Sequence, residues 1–273
     1  DTYFYEVARR LGVDRLNITA KKFGLGEKVF DGLYNEEKKG LVPSTKWKKN
    51  NLGVGWVLGE TLLTGIGQGY IQTTPVQLCL MTAQLANGGF KIYPRITFDK
   101  DYEDYETIKY KMAQKIVERE HSKIGLLETS KELIFSSKNK YNLLFRNQEN
   151  VKFILDSMYG STNEVRGTSY RSRIDDKKYQ FAGKTGTAQV KRITAEAREL
   201  DLKTSEIPYE DRDHALYVAY GPYKNPRYAL SILIEHGGSG SSAAAPIAKK
   251  LFKLIIDRHD LREKIRKDSQ TEA

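Results

Sequence analysis

Residues Phe181 to Val190 read Phe-Ala-Gly-Lys-Thr-Gly-Thr-Ala-Gln-Val, which sets a lysine, two hydroxyls and two glycines inside an otherwise apolar, strand-like run. Side chains alternate in direction along an extended chain, so Thr185 and Thr187 point to one face and Lys184 and Gly186 to the other. A glycine inside a strand weakens it and marks a place where something approaches the backbone closely. Lys184-Thr185-Gly186-Thr187 therefore reads as a strand edge that offers hydroxyls and a backbone N–H to an anionic ligand. Taken alone, such a tetrapeptide is more often a surface strand carrying a lysine, so the choice rests with the elements around it.

A second strand is expected over Ala215–Tyr220 and a third over Arg227–Glu235, joined by the turn-forming run Gly221-Pro222-Tyr223-Lys224-Asn225-Pro226 as a hairpin. Residues 191–212 are polar and read as a loop over the first strand. Helices are expected before and after this group. Thr2–Leu11 carries Phe4, Val7, Ala8 and Leu11 at helical spacing and stops at Gly12. Asp14 is placed to cap a second helix running to Phe23. Thr74-Pro75 opens a helix with a capping hydroxyl and proline at its first position, apolar nearly all round and hence buried, and Asn87-Gly88-Gly89 closes it. Glu149–Tyr159 is the next helix, ended by Gly160. In the last, Ile247, Ala248, Leu251, Leu254 and Ile255 face the core, and the polar end from Arg262 frays. Residues 34–60 read as loop, with Trp47 and Trp56 covering the core from outside. Gly65, Gly67 and Gly69 suggest close backbone packing or a turn. Strands that come late and together, with helices on either side, predict an α/β (α+β) fold: an antiparallel sheet flanked by helices.

The chain has 273 residues, 39% hydrophobic and 29% charged, enough for one large domain or two small ones. Lysine and arginine number 45 against 35 acidic residues, a formal charge of +10 that favours anionic neighbours. The lysines are scattered, and no basic helix with interleaved aromatics occurs, which argues against nucleic acid as a partner. Cys79 stands alone, so no intrachain disulfide forms, and it lies in an apolar run as a small hydrophobe. No cluster has metal-ligand spacing, and no cofactor is implied. No run is long enough to span a membrane. The charged and aromatic stretch at 97–133 reads as a peripheral insertion.

Lys-Thr-Gly is one of three elements of the penicillin-binding proteins and β-lactamases, beside Ser-x-x-Lys and Ser-Asp-Asn. Other stretches extend the match in family order: Asp1 to Tyr5, Pro43 to Lys48, Gly65 to Tyr70, Thr74 to Leu78, Ala86 to Gly89, Ala182 to Val190, Arg212 to Ala215, Glu235 to Gly238 and Ala245-Pro246. On these the chain resembles the transpeptidase domain of class B penicillin-binding proteins, with residues 1–262 as the C-terminal part of one such domain and 263–273 as a polar tail. The resemblance implies a peptidoglycan D,D-transpeptidase that serves cell elongation and shape. Its partners would be peptidoglycan stem peptides, β-lactams, the upstream half of its own domain and a membrane glycosyltransferase of the elongation machinery. Its place would be the periplasmic face of the inner membrane, with the anchor upstream. Lys184 would organise the protons of a serine nucleophile, Thr185, Gly186 and Thr187 would hold the substrate's carboxylate, and the Thr187 N–H would be one oxyanion donor.

The resemblance further implies that Asp1 is the third residue of a Ser-x-Asp element. Its serine, and the Ser-x-x-Lys nucleophile, are expected upstream. Ser137-Lys138-Asn139-Lys140 and Ser161-Thr162-Asn163 imitate the two elements, but Ser137 stands among lysines and asparagines, and Ser161 reads as a turn residue after a helix stop. His214 and His236 read as structural or surface histidines, although His214 borders the strand beside Lys184. A second reading of a different class makes the chain a non-catalytic fragment that acts only as an interaction module.

Overall fold

The computed structural model describes residues 1–30, 36–94, 143–145, 147–190 and 206–271. The insertion expected at 97–133, the Ser137–Lys140 stretch and loop residues 191–205 lie outside the described residues. Strands β1 (Ala182–Ala188), β2 (His214–Gly221) and β3 (Tyr228–Ile234) form one antiparallel sheet in the order β1-β2-β3. Seven helices accompany them among the described residues: α1 (Thr2–Leu11), α2 (Val13–Lys22), α3 (Thr45–Leu52), α4 (Leu58–Gly65), α5 (Pro75–Ala86), α6 (Gln148–Asn163) and α7 (Ala245–Thr271).

The sheet is the middle of three layers, as its side-chain alternation dictates. Ala215, Tyr217 and Ala219 of β2 point to one face and are fully buried against Ala244, Ala245, Ala248, Phe252 and Ile256 of α7 and the π-helical turn before it (Gly240–Ala244). Phe181 stacks on Phe252 with ring centroids 4.9 Å apart. Gly221 leaves space for that ring, since a Cβ there would come within 2.9 Å of it. Ala182, Val218 and Tyr220 point to the other face, where Met158 and Leu155 of α6 and Ala86 at the end of α5 pack.

The rotation of α7 departs from the expected one. Ala248 is inside, but Leu254 is 64% exposed, and the inner stripe is Ala245, Ala248, Phe252 and Ile256. The bulky Phe252 fills the place beside Gly221 and fixes the rotation of the helix. The expected frayed end is also helical, through Thr271. Leu261-Arg262-Glu263-Lys264 are strong helix formers, and Glu263 accepts a 2.6 Å bond from Arg227 at the start of β3.

Helices α1 to α4 make a lobe beside these layers. Ala8 is the buried residue of α1. It meets Gly65 of α4, where an added Cβ would lie 2.3 Å from the Ala8 Cβ. Gly67 and Gly69 turn the chain with φ of 77° and 78°, so both expectations for the glycine series hold. The expected loop at 34–60 contains α3 and the start of α4. Ser44 caps α3 by accepting the Trp47 N–H, and Gly53 ends it in the left-handed region at φ 71°. Asp14 does not cap α2, whose first turn it occupies; its carboxylate accepts the Thr45 N–H and hydroxyl at 2.9 and 2.8 Å. Trp47 and Trp56 are half-buried against Tyr70, as expected of cover. Buried Lys48 bonds Glu60 at 2.5 Å, and Tyr70 donates to the same carboxylate. In α5 the Thr74 cap is present, but the buried face includes Gln77 and Gln84. Their amides bind the backbone carbonyls of Glu27, Lys39 and Phe23.

Candidate active site

The site grows from one absent side chain. Gly183 pairs with Ala219, and a Cβ on it would lie 2.5 Å from the Tyr217 hydroxyl. Without that Cβ, the Tyr217 ring runs beneath β1 and its hydroxyl reaches Thr162 Oγ1 at 3.0 Å and Ser169 Oγ at 3.1 Å. Burial pushes the Tyr217 phenol up, against the pull of those two hydroxyls. Thr162, at the end of α6, accepts the Gly183 N–H at 3.0 Å. A side chain thus occupies this point of the β1 edge.

That bond fixes the orientation of the rest of the strand. In an antiparallel pair, alternate residues turn their N–H and C=O groups toward the partner and away from it. Gly183 turns away from β2 toward Thr162, so Thr185 and Thr187 turn their backbone groups toward the same free edge. Gly186 faces β2 across from Leu216, and Gly240 lies over that pair, where a Cβ would come 2.2 Å from the Leu216 carbonyl oxygen. At the far end of β1, Asp213 Oδ1 accepts the Val190 N–H at 3.2 Å.

Lys184 lies along this edge. Its Nζ donates to the Thr185 carbonyl at 2.9 Å and to Thr185 Oγ1 at 3.1 Å. The side chain is exposed by surface area. Its ammonium is nevertheless crowded by protein, and this desolvation moves its pKa below the ordinary lysine value. Thr185 Oγ1 also lies 3.3 Å from Thr168 Oγ1, which lies 3.2 Å from Ser161 Oγ. An ammonium, a row of three hydroxyls and two outward backbone amides therefore share one strand edge. Such a set can bind a carboxylate, and the outward-turned Thr187 amide can point at a developing oxyanion.

Lys184, Thr185, Gly186 and Thr187 lie in succession on β1, and the Lys184 ammonium reaches the Thr185 hydroxyl. Asp1 stands apart: its carbonyl accepts the Tyr5 N–H at the start of α1, and its side chain makes no capping bond. Helix α1 packs on α4 and α2, and among the described residues no bond joins Asp1 to the β1 group. The expected helix stop at Gly160 is overridden, since α6 continues to Asn163 and carries Ser161 in its last turn. Gly167 closes over that end, so near that its Cβ would lie 2.4 Å from the Ser161 carbonyl oxygen. Ser161 is thus not a turn residue but one end of the hydroxyl row, and it makes no direct bond to Lys184. Thr168 belongs to no sequence motif, and Thr162 stands in the sequence only as the middle residue of the Ser161-Thr162-Asn163 imitation; the density of serine and threonine over 157–172 is the signal that points to them. His214 Nδ1 accepts the His236 N–H at 2.9 Å, which ties the start of β2 to the turn after β3 and suits a structural histidine. Cys79 is half-buried, and burial raises its thiol pKa.

This fold and site belong to one class. The chain is a member of the family described as the penicillin binding protein transpeptidase domain, whose model matches residues 1–253. Among named relatives, peptidoglycan D,D-transpeptidase MrdA of Salmonella typhimurium is 32% identical over 94% of this chain and 36% of its own length. MrdA of Haemophilus influenzae is 31% identical over 94% of this chain and 35% of its own length. Of solved structures, Pseudomonas aeruginosa PBP2 in complex with WCK 5153 superposes with a TM-score of 0.66 at 32% identity, over 93% of this chain and 46% of that one. The Helicobacter pylori PBP2 complex with MreC gives 0.66 at 27%, over 93% and 38%. The chain spans about a third of the length of the named relatives it matches. The antiparallel sheet between helices is that of these transpeptidase structures.

Proposed function

We propose that this chain forms the Lys-Thr-Gly wall of a peptidoglycan D,D-transpeptidase acting in cell elongation and shape. The observation that carries the reading is the β1 edge, where the desolvated Lys184 ammonium meets the Thr185 carbonyl and hydroxyl and the backbone amides of Thr185 and Thr187 turn outward. The reaction is acyl transfer. A serine Oγ attacks the carbonyl of the D-Ala-D-Ala bond of a stem peptide, the C–N bond breaks, and D-Ala leaves with the serine's proton. An amine of a neighbouring stem then attacks the ester and restores the serine. In this reading Thr185 and Thr187 bind the terminal carboxylate, the Thr187 N–H supports the oxyanion, and Lys184 handles protons near the nucleophile. No serine hydroxyl among the described residues bonds Lys184 directly, so we assign the nucleophile to another segment of the protein, and read Asp1 of this chain as the last residue of a Ser-x-Asp element that completes the wall with it.

β-Lactams would acylate the same serine and stay. The protein would work at the periplasmic face of the inner membrane, anchored through another segment, with a membrane glycosyltransferase of the elongation machinery. A Helicobacter pylori relative is solved in complex with MreC, which supports an MreC-like partner for this chain, while the glycosyltransferase rests on the family resemblance alone. No helix among the described residues is long and apolar enough to cross a membrane.

The test is acylation by fluorescent penicillin. Full-length protein should label, and Lys184→Ala should lose labelling by at least about a hundredfold while melting normally. Unchanged labelling of that variant removes Lys184 from the site. One observation favours the second reading, an interaction module: Tyr3 and Phe4 of α1 are 74% and 57% exposed. Residues 1–273 expressed alone should then stay unlabelled; if they label, the nucleophile lies among them and the assignment to other segments fails.

A further inference from the structure

Thr185 Oγ1 has one proton to give and two lone pairs to fill. The Lys184 ammonium, which only donates, fills one of them at 3.1 Å. Thr168 Oγ1, at 3.3 Å, is placed to fill the other. With both filled, the Thr185 proton has no acceptor left among the described residues and points away from the edge. Ser161 Oγ, 3.2 Å from Thr168 Oγ1, completes a row that runs Ser161 to Thr168 to Thr185 when each hydroxyl donates to the next. The backbone on either side of Thr168 is fastened to the end of α6, which holds Thr168 beside this row. Gly167 lies against the Ser161 carbonyl, and Ser169 donates to that same oxygen through its N–H and its hydroxyl, each at 3.0 Å.

We propose that Thr168 is a positioning residue that sets the donor direction of Thr185 toward a bound carboxylate, with Ser161 steadying it. The inference rests on the reading of Lys184-Thr185-Gly186-Thr187 as an acyl-transfer wall. Without Thr168, the second lone pair of Thr185 is free to take a proton from water and its own proton is free to turn inward, so the carboxylate meets an undirected hydroxyl. The loss falls on ligands that carry the negative charge and spares those that do not.

The experiment measures acylation rates of the full-length protein by benzylpenicillin and by its methyl ester, which lacks the carboxylate. Thr168→Val should slow benzylpenicillin about tenfold and leave the slower ester rate unchanged, and Thr168→Ser should recover most of the loss. Equal rates for Thr168→Val and wild type with benzylpenicillin overturn the proposal, as does an equal loss with both probes, which marks a merely structural role. Lys184→Ala and Thr185→Val are the controls for the underlying reading. If both acylate at the wild-type rate, the wall itself is misassigned; if both fail while Thr168→Val is unaffected, the wall stands and Thr168 has no part in it.

Discussion

The sheet layer and the lobe of α1 to α4 handle their apolar side chains in opposite ways. In the sheet layer Phe181, Tyr217 and Phe252 are fully buried, and their rings meet across the sheet and α7. In the lobe Tyr3, Phe4, Leu58 and Leu63 are 45–74% exposed, and the buried residues include Thr61, Thr64 and Lys48. The lobe is held by polar ties instead: Lys48 to Glu60, Tyr70 to Glu60 and Asp14 to Thr45. Hydrophobic packing is strong and indifferent to pH, whereas an ion pair is neither once one partner titrates. The difference teaches that the strand carrying the candidate site rests mainly on apolar packing, with ion pairs such as Arg227 to Glu263 and Lys178 to Asp257 only at the margin of that layer, whereas the lobe leans on a buried tie that titrates.

The largest test of this contrast is Phe252→Ala, which should cost about 3–5 kcal/mol in urea unfolding; a loss below about 1 kcal/mol would mean that the α7 interface is not the main core. In the lobe, Lys48→Met should cost about 2–3 kcal/mol. That is less than the full penalty for stranding a buried charge, because Glu60 keeps two other donors and some solvent. The tie also titrates. Burial alone would raise the Glu60 pKa, but the bonds from Lys48, the Val57 N–H and Tyr70 outweigh it and hold the carboxyl below its ordinary value. A depressed carboxyl stabilises the fold above its unfolded pKa and loses that contribution as pH falls through the folded one. The stability gap between wild type and Glu60→Gln should therefore be flat above about pH 5 and close below about pH 4; a gap that widens in acid contradicts the assignment. Tyr217→Phe removes a hydroxyl bonded to two others and should cost about 1–2 kcal/mol, with amide exchange at Gly183 reporting any loosening of the β1 edge. Phe4→Ser should change the stability of this chain by less than about 0.5 kcal/mol. A cost like that of Phe252→Ala would erase the distinction between the two halves.

The parts of this structure legible in the sequence are those governed by neighbours in sequence. The alternation of Lys184 and Thr185, the Thr74 cap with Pro75 behind it, and Gly12 closing α1 each follow from a few adjacent residues. Ser44 and Gly53 were equally local signals, and α3 was readable from them. Other features depend on partners far along the chain. Gly160 stays helical because Gly167 and Ser169 fold back on the end of α6. Phe252, not Leu254, turns inward because Gly221 leaves it room. Thr168 joins the candidate site across 17 residues, and Tyr217 reaches Thr162 across 55. Family resemblance located Lys184 and Thr185 but not the hydroxyls behind them, whose motif is spatial and has no fixed spacing in sequence.

The Thr162 contact with Gly183 has a consequence for solubility. An exposed strand edge is a template on which another chain can add a strand and begin to aggregate. Here a threonine takes the Gly183 amide and a lysine folds its charge over the Thr185 carbonyl. A foreign strand would have to displace both at once to find its register, whereas a small anion needs to draw only the lysine aside. The edge is thereby closed to long polymers of backbone and open to short charged ends.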